Sequence, residues 1–483
     1  MNSYKMLRML LLNDTIHHRL RQSSIFRRTF LSEAYACQEA WDKRLQTPLL
    51  NKIKPVDFFL EIDRRFQNEI KVHPVDIDIF ANIITDNSHI DELADVLYKL
   101  RMTRETSWTL PSTHHAVIRY YLSVDDINSL MTILNDRLNY GIFCEYFDYN
   151  LIMDYCIKKE DYANAAKTST FMMLQEEFEN PLSNALALYS CFKYLENPDT
   201  WVEEDPQVRK MNNEPKEEVK IRVKYIINPF FDDHFDLWKP SDLVGKTLLG
   251  IGRTMDTPLG RSAHLRGAVL YKKYDQIIPV VKQWLQDGRD KIIYKEVISL
   301  IKQDAPALFA EDSKEEGKTE TEVQKPGEMA CEKKQFEKQL TKDGKQLKSL
   351  LLELEKTNLY QGNIIEDFKK LVKKSVEYHA EQDIKNQKEI YEKWEAHRIN
   401  VLETHKDEID KQQRLEKVEQ LKKELEEKEK VLTFFDKQDQ IELEIETKLK
   451  EEKLKYGKDL KKLGRDRFEG VEYKQTYKKR HDF

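Results

Sequence analysis

The tripeptide Gly245-Lys246-Thr247 suggests a nucleotide-binding motif. In a phosphate-binding loop, backbone N–H groups and the lysine hold the phosphates, and the loop follows a β-strand. That motif also requires a glycine five positions before Gly245, where this sequence has Pro240. Proline is favoured at the first position of a helix. We therefore predict a helix over 241–253 and no phosphate-binding loop.

Other short patterns that could support chemistry are incomplete. Gly250 and Gly252 lack the third glycine of a dinucleotide-binding fingerprint, because Met255 occupies its position. The adjacent histidines of His17-His18 and His114-His115 would point about 100° apart on a helix, so neither pair forms a two-ligand metal site. No serine, cysteine or histidine lies in a nucleophile motif. We predict that the protein is not an enzyme, binds no metal or cofactor and has no small-molecule substrate.

Composition favours an all-α protein with long, solvated helices. Of the 483 residues, 34% are charged, and only 14 are glycine and 14 proline. The formal net charge is −6, so any attraction to RNA must be local. No apolar run approaches the roughly 20 residues that span a bilayer, and no membrane association is expected. An odd number of scattered cysteines indicates a reducing compartment; they are Cys37, Cys144, Cys156, Cys191 and Cys331.

Two consecutive stretches of 35 residues, 112–146 and 147–181, share a layout of two amphipathic helices joined by a polar turn. One such pair cannot bury both apolar faces alone, so the period predicts an α-solenoid. Gly141 is placed to end the second helix of the first stretch. The expected core positions are Val117, Ile118, Tyr121, Ile127, Leu130, Met131, Leu134 and Leu138, then Leu151, Ile152, Tyr155, Ala165, Ala166, Met172 and Met173.

The second stretch resembles a pentatricopeptide repeat through Tyr149-Asn150, Ala165, Met172 and the closing Asn180-Pro181. A tetratricopeptide-like helix pair that binds protein is the open alternative.

Pentatricopeptide repeats contact single-stranded RNA through a residue near the start of the first helix and the residue that closes the repeat. The resemblance therefore implies that Asn150 and Asn180 form a reading pair, a combination that the family uses for pyrimidines. The equivalent residues of the first stretch, His115 and Glu145, are not a usual pair. Helix capping is the alternative role for Asn150.

The first 30 residues are similar to a mitochondrial presequence, since they are rich in arginine and poor in acids. Met6, Leu7, Leu10 and Leu11 can share one helix face. An ordinary amphipathic helix at the start of the fold is the alternative. The basic residues are Lys5, Arg8, Arg19, Arg21, Arg27 and Arg28, against the single acid Asp14.

Composition also divides the rest of the chain. A pentatricopeptide-repeat-like α-solenoid is expected over 31–310, interrupted by an acidic loop at 196–220. Residues 311–330 have almost no apolar side chain and are predicted to be a disordered linker. Residues 331–456 contain no proline and are predicted to form long charged helices. A basic tail occupies 457–483.

Apolar residues within 331–456 indicate helices that need a partner. Gly362-Asn363 is expected to separate two of these helices. Val418, Leu425 and Leu432 recur every seven residues with Leu421 in the intermediate seam position, a short coiled-coil pattern. A helical hairpin packed on a partner and a coiled coil with a second copy both fit the pattern, although we do not expect a homo-oligomer.

Basic side chains provide further candidate RNA contacts, because they neutralise phosphate and neighbouring aromatic rings can stack on unpaired bases. A solvated tail without a ligand is the alternative for the carboxyl-terminal group. The candidates are Lys158 and Lys159 in a repeat turn, and Lys474, Lys478, Lys479 and Arg480 in the tail.

Together these features resemble the pentatricopeptide-repeat proteins of the mitochondrial small ribosomal subunit. The resemblance lies in 30–35 with Trp41, 97–101, 139–154, 158–162 and the region around 391–394. It implies a non-catalytic structural component in the mitochondrial matrix that contacts mitochondrial ribosomal RNA and small-subunit proteins and supports mitochondrial translation. Two alternatives are a free pentatricopeptide protein in mitochondrial RNA processing or stability, and a helical protein-binding adaptor without RNA.

Overall fold

The fold is all-α, which confirms the predicted class. In the part of the chain that the structure describes, the only sheet-type pairing is a single parallel bridge between Tyr294 and Tyr360. The chain divides into two compact units, Met1–Ile399 and Asn400–Phe483. The structure, a computed structural model, describes residues 30–201, 234, 237–287, 291–309, 328–433 and 435–462.

Several predicted segments lie outside the described residues. They are the presequence up to residue 29, most of the acidic loop, most of the linker and the four basic residues proposed in the tail.

The first unit begins with short helices and continues into helix pairs. The helices up to the acidic loop are α1 (Gln38–Asp42), α2 (Pro55–Gln67), α3 (Pro74–Ile83), α4 (Ile90–Arg101), α5 (Pro111–Val124), α6 (Ile127–Asn135), α7 (Arg137–Tyr140), α8 (Tyr146–Lys158), α9 (Tyr162–Leu174) and α10 (Pro181–Tyr194). Those that follow are α11 (Pro240–Thr254), α12 (Pro258–Leu270), α13 (Tyr274–Gln286), α14 (Lys295–Asp304), α15 (Pro306–Phe309), α16 (Glu328–Glu355), α17 (Ile364–Leu432) and α18 (Gln438–Lys462). Short 3-10 helices span Glu33–Ala36, Lys43–Gln46, Leu50–Lys52, Asn87–His89, Arg104–Trp108 and Pro198–Thr200.

Helix starts in the middle of the first unit repeat at intervals of 35 residues. Helices α5, α8 and α10 begin at Pro111, Tyr146 and Pro181, and α6 and α9 begin at Ile127 and Tyr162. Helix α9 packs against both α8 and α10, and α5 packs against α6. The structure therefore contains the helix pairs expected from the sequence, while their assignment as pentatricopeptide repeats stays a prediction.

The turns of the two stretches also match residue by residue. Asp125 and Glu160, 35 residues apart, both have positive φ, at 68° and 60°. Gly141 and Glu176 are likewise 35 apart, with φ of 65° and 58°. Side chains other than glycine rarely adopt this conformation, so equal turns at equal positions indicate two copies of one local structure.

The same repetition appears in the caps of the second helices. The carboxylate of Asp126 accepts a hydrogen bond from Ser129 N, and that of Asp161 accepts one from Asn164 N, both at 3.1 Å. Each bond satisfies a backbone donor that the first turn of the helix leaves unpaired.

Most of the expected core positions are buried, but Leu138 was assigned wrongly and is 82% exposed. The sequence pattern treats Leu138 as part of the helix that contains Leu134. In the structure α6 ends at Asn135, and Asp136 caps a separate short helix by accepting from Asn139 N. This break changes the direction in which Leu138 points.

Glycines allow a close contact between α11 and α12. The predicted helix over 241–253 is present as α11. A Cβ built on Gly252 would lie 2.5 Å from His264 N, and one on Gly267 would lie 2.5 Å from Leu249 N. Because no side chain fits at these positions, Gly245 and Gly252 serve helix packing and not phosphate binding.

The first part of α17 packs on the helix pairs of its own chain. Asn363 caps it by accepting from Ile365 N and Glu366 N, as the predicted turn requires. The Phe368 ring lies 4.7 Å from the Phe192 ring between centroids. Up to Ile399, the partner of this amphipathic helix is therefore the amino-terminal part of the same chain.

The second unit exposes its apolar side chains. Val418, Leu421, Leu425 and Leu432, the predicted heptad positions, are 58 to 80% exposed. The coiled coil inferred from these positions stays a prediction.

Candidate interaction site under the long helix

The predicted RNA-reading residue Asn150 lies inside the fold. It is fully buried in α8, where its Nδ2 donates to Tyr35 Oη at 2.8 Å and its Oδ1 accepts from Ser183 Oγ at 2.8 Å. Tyr35 Oη in turn donates to Asp383 of α17 at 3.1 Å. Burial, followed by the effect of Asp383, raises the pKa of Tyr35, so its proton stays in place as a donor. Asn150 thus connects α8, α10, the amino-terminal segment (residues 30–54) and, through Tyr35, α17.

The other described candidates have different surroundings. Asn180 caps α10, with its Oδ1 accepting from Leu182 N at 2.9 Å and Ser183 N at 3.0 Å. Lys158 pairs with Asp154 at 2.9 Å, and Lys159 pairs with Asp125. Asn180 and Asn150 share Ser183 as a hydrogen-bond partner, whereas the two lysines pair with acids. Contact of these residues with RNA stays a prediction.

His115 belongs to a buried polar cluster and forms a hydrogen bond to Tyr391 of α17. Its Nδ1 lies 2.5 Å from Asp148 Oδ1, and its Nε2 lies 2.9 Å from Tyr391 Oη. Burial lowers the pKa of His115, although Asp148 opposes the shift, so the ring is neutral. A carboxylate can only accept, so Nδ1 carries the proton and Nε2 accepts from Tyr391.

Asp78 and Arg398 form the deepest ion pair between α17 and the helix pairs. Arg398 Nε lies 2.5 Å from Asp78 Oδ2, and both side chains are at most 6% exposed. Asp78 Oδ1 also accepts from Thr113 Oγ1 at 2.9 Å and from Ser112 Oγ. Because several donors satisfy this buried carboxylate, it fixes how α17 lies against the helix pairs.

An open cleft of about 720 Å³ lies beside this ion pair, between the amino-terminal segment and α17. Arg44 and Arg398 form part of its lining. Arg44 lies over the Trp41 ring, with Cζ 3.9 Å from the centroid, and donates to the backbone oxygens of Asn82 and Trp41. Burial lowers the pKa of Arg44 to about 10, and the nearby Arg119 and Arg398 add to the effect although Asp42 opposes it.

Aromatic rings form the wall of the cleft. Tyr391 and Trp394 lie on the same face of α17, with ring centroids 5.6 Å apart. Both are half-buried, whereas Trp41 is only 6% exposed. The sequence resemblance included Trp41 and the region around Tyr391 and Trp394, but the spacing of these residues gave no sign that they meet.

Neither a metal centre nor a membrane segment is found in the described ranges. No group of three or more His, Cys, Asp or Glu side chains there could hold a metal ion. None of the helices placed by the structure has both the length and the apolar character needed to cross a bilayer.

The comparison with protein families identifies one match. Residues 1–424 match the model of the family described as mitochondrial 28S ribosomal protein S27. The matched range contains the helix pairs, the cleft and most of α17.

Proposed function

The chain belongs to the family of mitochondrial 28S ribosomal protein S27, and we propose that it contacts ribosomal RNA and neighbouring proteins as a non-catalytic scaffold that supports mitochondrial translation. Membership makes it a component of the mitochondrial small ribosomal subunit, located on the mitochondrial ribosome in the matrix. The observation that carries the proposal is the match over residues 1–424, which extends through both the helix pairs and the long helix.

The scaffolding role is supported by how the polar side chains are used. Asn150, His115 and Asp78 are buried, and each bonds to another part of the same chain. Such networks hold a surface in one shape without performing chemistry. A rigid surface of stacked helices suits contact with many neighbours at once.

Sedimentation of a mitochondrial lysate tests this function. We expect the chain to co-migrate with the small ribosomal subunit through the gradient. Migration only in light, RNase-sensitive fractions would instead identify a free RNA-binding protein. Light complexes that resist RNase would identify a protein-binding adaptor.

Asn180 provides a test of base reading in the same gradient. The Asn180→Ala variant removes the closing amide of the repeat and a helix cap that contributes about 1 kcal/mol. Since one residue is a small part of a large interface, we expect association with the small subunit to change little. Loss of association by a variant that still melts cooperatively would show that base reading dominates.

Import depends on the proposed presequence. We expect a chain lacking residues 1–30 to remain in the cytosol, whereas the full chain reaches the matrix. Fractionation with a protease-protection step measures this, and unchanged import of the shortened chain contradicts the presequence.

A further inference from the structure

We propose that the cleft between the amino-terminal segment and α17 binds one nucleotide of a single-stranded RNA segment. The phosphate would meet the guanidinium groups of Arg44 and Arg398, and the base would lie against Tyr391 and Trp394. This site is separate from the repeat positions Asn150 and Asn180. The proposal rests on the proposed function, because it identifies where the scaffold contacts RNA.

The floor of the cleft has unused cationic donors. Arg398 uses Nε for Asp78, and its two Nη groups have no hydrogen-bond partner among the residues described. Arg44 uses Nε and Nη1 for backbone oxygens, and Nη1 also lies 3.6 Å from the exposed carboxylate of Asp42. Its Nη2 has no hydrogen-bond partner in the described part of the chain. Arg119 does not line the cleft; it lies 5.4 Å from the same Trp41 ring and donates to Ala36 O and Gln38 Oε1. Guanidinium groups in this arrangement favour a phosphate.

A hydrogen-bond acceptor next to these donors restricts which class of ligand the cleft can bind. Asn82, which lines the cleft, is 1% exposed, and its Oδ1 has no hydrogen-bond partner among the residues that the structure describes. A buried acceptor without a partner costs about 1–3 kcal/mol, so an occupant that donates to it is favoured. A nucleotide supplies an anion together with amino, imino or 2′-hydroxyl donors. An acidic protein segment also supplies an anion and backbone N–H donors, so the acceptor by itself fits both ligands. We favour RNA because Tyr391 and Trp394, which line the same cleft, offer rings on which a base can stack.

The wall and the volume agree with a nucleotide. The half-buried Trp394 offers a ring on which a base can stack, an interaction that contributes about 1–3 kcal/mol per base. The volume of about 720 Å³ lies within the range of sites for small organic groups.

The charges on the rim of the cleft limit its attraction for RNA to short distances. The four basic lining residues, which are Lys43 and Lys388 with Arg44 and Arg398, are matched by the four acids Glu33, Glu39, Glu392 and Glu395. A mixed rim provides little long-range attraction to RNA. The cleft therefore suits a nucleotide that the assembled subunit presents, and weak binding of free RNA.

Ultraviolet crosslinking within purified small subunits tests the site. Irradiation followed by nuclease and trypsin digestion should leave a ribonucleotide adduct on peptide 389–393, which contains Tyr391, or on 394–398, which begins at Trp394. Adducts elsewhere on the chain with none on these two peptides would overturn the proposal. So would a chemical crosslink that joins Lys43 or Lys388 to an acidic segment of a neighbouring protein, with no nucleotide adduct.

Charge reversal on the rim gives the matched comparison, because both lysines are exposed. The double variant Lys43→Glu/Lys388→Glu changes the charge beside the phosphate by −4, so it should lower the adduct yield about tenfold or more. Because Lys388→Glu removes a tryptic site, the adduct on Tyr391 is measured on peptide 386–393 in this variant. The control Lys52→Glu/Lys385→Glu makes the same change in charge at exposed positions that do not line the cleft, and its yield should stay near that of the natural chain. Equal loss in both variants would overturn the site.

Failure of the site and failure of the proposed function are distinguishable. If the chain does not co-sediment with the small subunit, the function fails, and the purified full chain is instead irradiated with a uridine hexanucleotide at low salt. An adduct on 389–398 that rim reversal abolishes supports the site in that case. Absence of an adduct there, at hexanucleotide concentrations that label other peptides of the chain, overturns it.

Discussion

At the scale of single residues, buried polar groups decide how the chain is held together. Asp78, His115 and Asn150 lie on three different helices, and each connects to the amino-terminal segment or to α17 through hydrogen bonds with little solvent access. In a medium of low dielectric such bonds are strong when complete and costly when one partner is removed. Substitutions at these positions should therefore act on stability first.

The ion pair of Asp78 and Arg398 gives the first prediction. Asp78→Ala leaves the Arg398 guanidinium buried without its partner, so we expect a loss of about 3–5 kcal/mol in the free energy of unfolding. Chemical denaturation measures the change. Lys450→Ala is the control, since Lys450 and Glu446 form a pair with both side chains at least 70% exposed, and it should cost less than about 1 kcal/mol. Similar losses in both variants would contradict the buried role.

Buried histidine makes stability depend on pH. Burial lowers the pKa of His264 to about 4, with a further contribution from Arg253, whereas an unfolded histidine has a pKa near 6.5. The unfolded chain therefore binds more protons below pH 6.5, and the His264 contribution to stability is lost as the pH falls from about 6.5 to 4.

The variant His264→Asn isolates this contribution. Between pH 6 and 4.5 its free energy of unfolding should fall less steeply than that of the natural chain, by up to about 1.4 kcal/mol per pH unit. Denaturation curves at several pH values measure the slope, and His397→Asn, at an exposed position, is the matched control. An unchanged slope in His264→Asn would show that the ring is solvated.

At the scale of elements, close packing of backbones explains why glycine recurs in α11 and α12. Gly245 and Gly252 on one helix face Gly267 and the segment near His264 on the other, with no room for a Cβ between them. The pattern that first suggests a phosphate-binding loop is thus part of a helix–helix contact. Glycine at these positions is compatible with a phosphate-binding loop or with close helix packing. The position of the neighbouring helix shows that the role here is packing.

Gly267→Ala tests this contact. The added Cβ would lie 2.5 Å from Leu249 N and 2.6 Å from Gly245 O, and backbone on both sides cannot yield without moving a helix. We expect destabilisation of about 1–3 kcal/mol or more, measured by thermal denaturation. Gly344→Ala is the control, because its nearest neighbour is a Leu308 methyl at 3.3 Å and a helical alanine is favoured by up to about 1 kcal/mol. A neutral Gly267→Ala would contradict the close approach.

At the scale of the whole molecule, the part of α17 up to Ile399 belongs to the first unit. Phe368, Asp383 and Arg398 all bond or pack against residues before 200. The mature fold therefore needs this late segment of the chain, and the first unit cannot be complete until it has been synthesised.

Truncation tests whether the first unit depends on α17 for its stability. A chain that ends at residue 399 should melt cooperatively at the temperature of the first unit in the full chain. A chain that ends at 360 leaves Asp78 without Arg398 and uncovers the Phe192 ring, so it should melt at a distinctly lower temperature. Circular dichroism follows both transitions. Identical melting of the two shortened chains would show that α17 is dispensable for the first unit.

Local features of this protein could be predicted from the sequence by itself. The 35-residue period, the helices over 147–181, the start of α11 after Lys239 and the turn at Asn363 all depend on residues within a few positions of one another. Propensity, capping and apolar spacing act over that range. The family resemblance rests on the same stretches, and the match over residues 1–424 agrees with it.

Only the tertiary structure decided what the long helix packs against and which polar side chains of the helix pairs are buried. Asn150 occupies a repeat position associated with RNA, yet it is buried against Tyr35, which in turn bonds to Asp383 at a separation of 348 residues. The cleft likewise combines Arg44 with Trp394 and Arg398. Contacts over such separations depend on how all the intervening helices stack, and the spacing of residues along one helix contains no record of that.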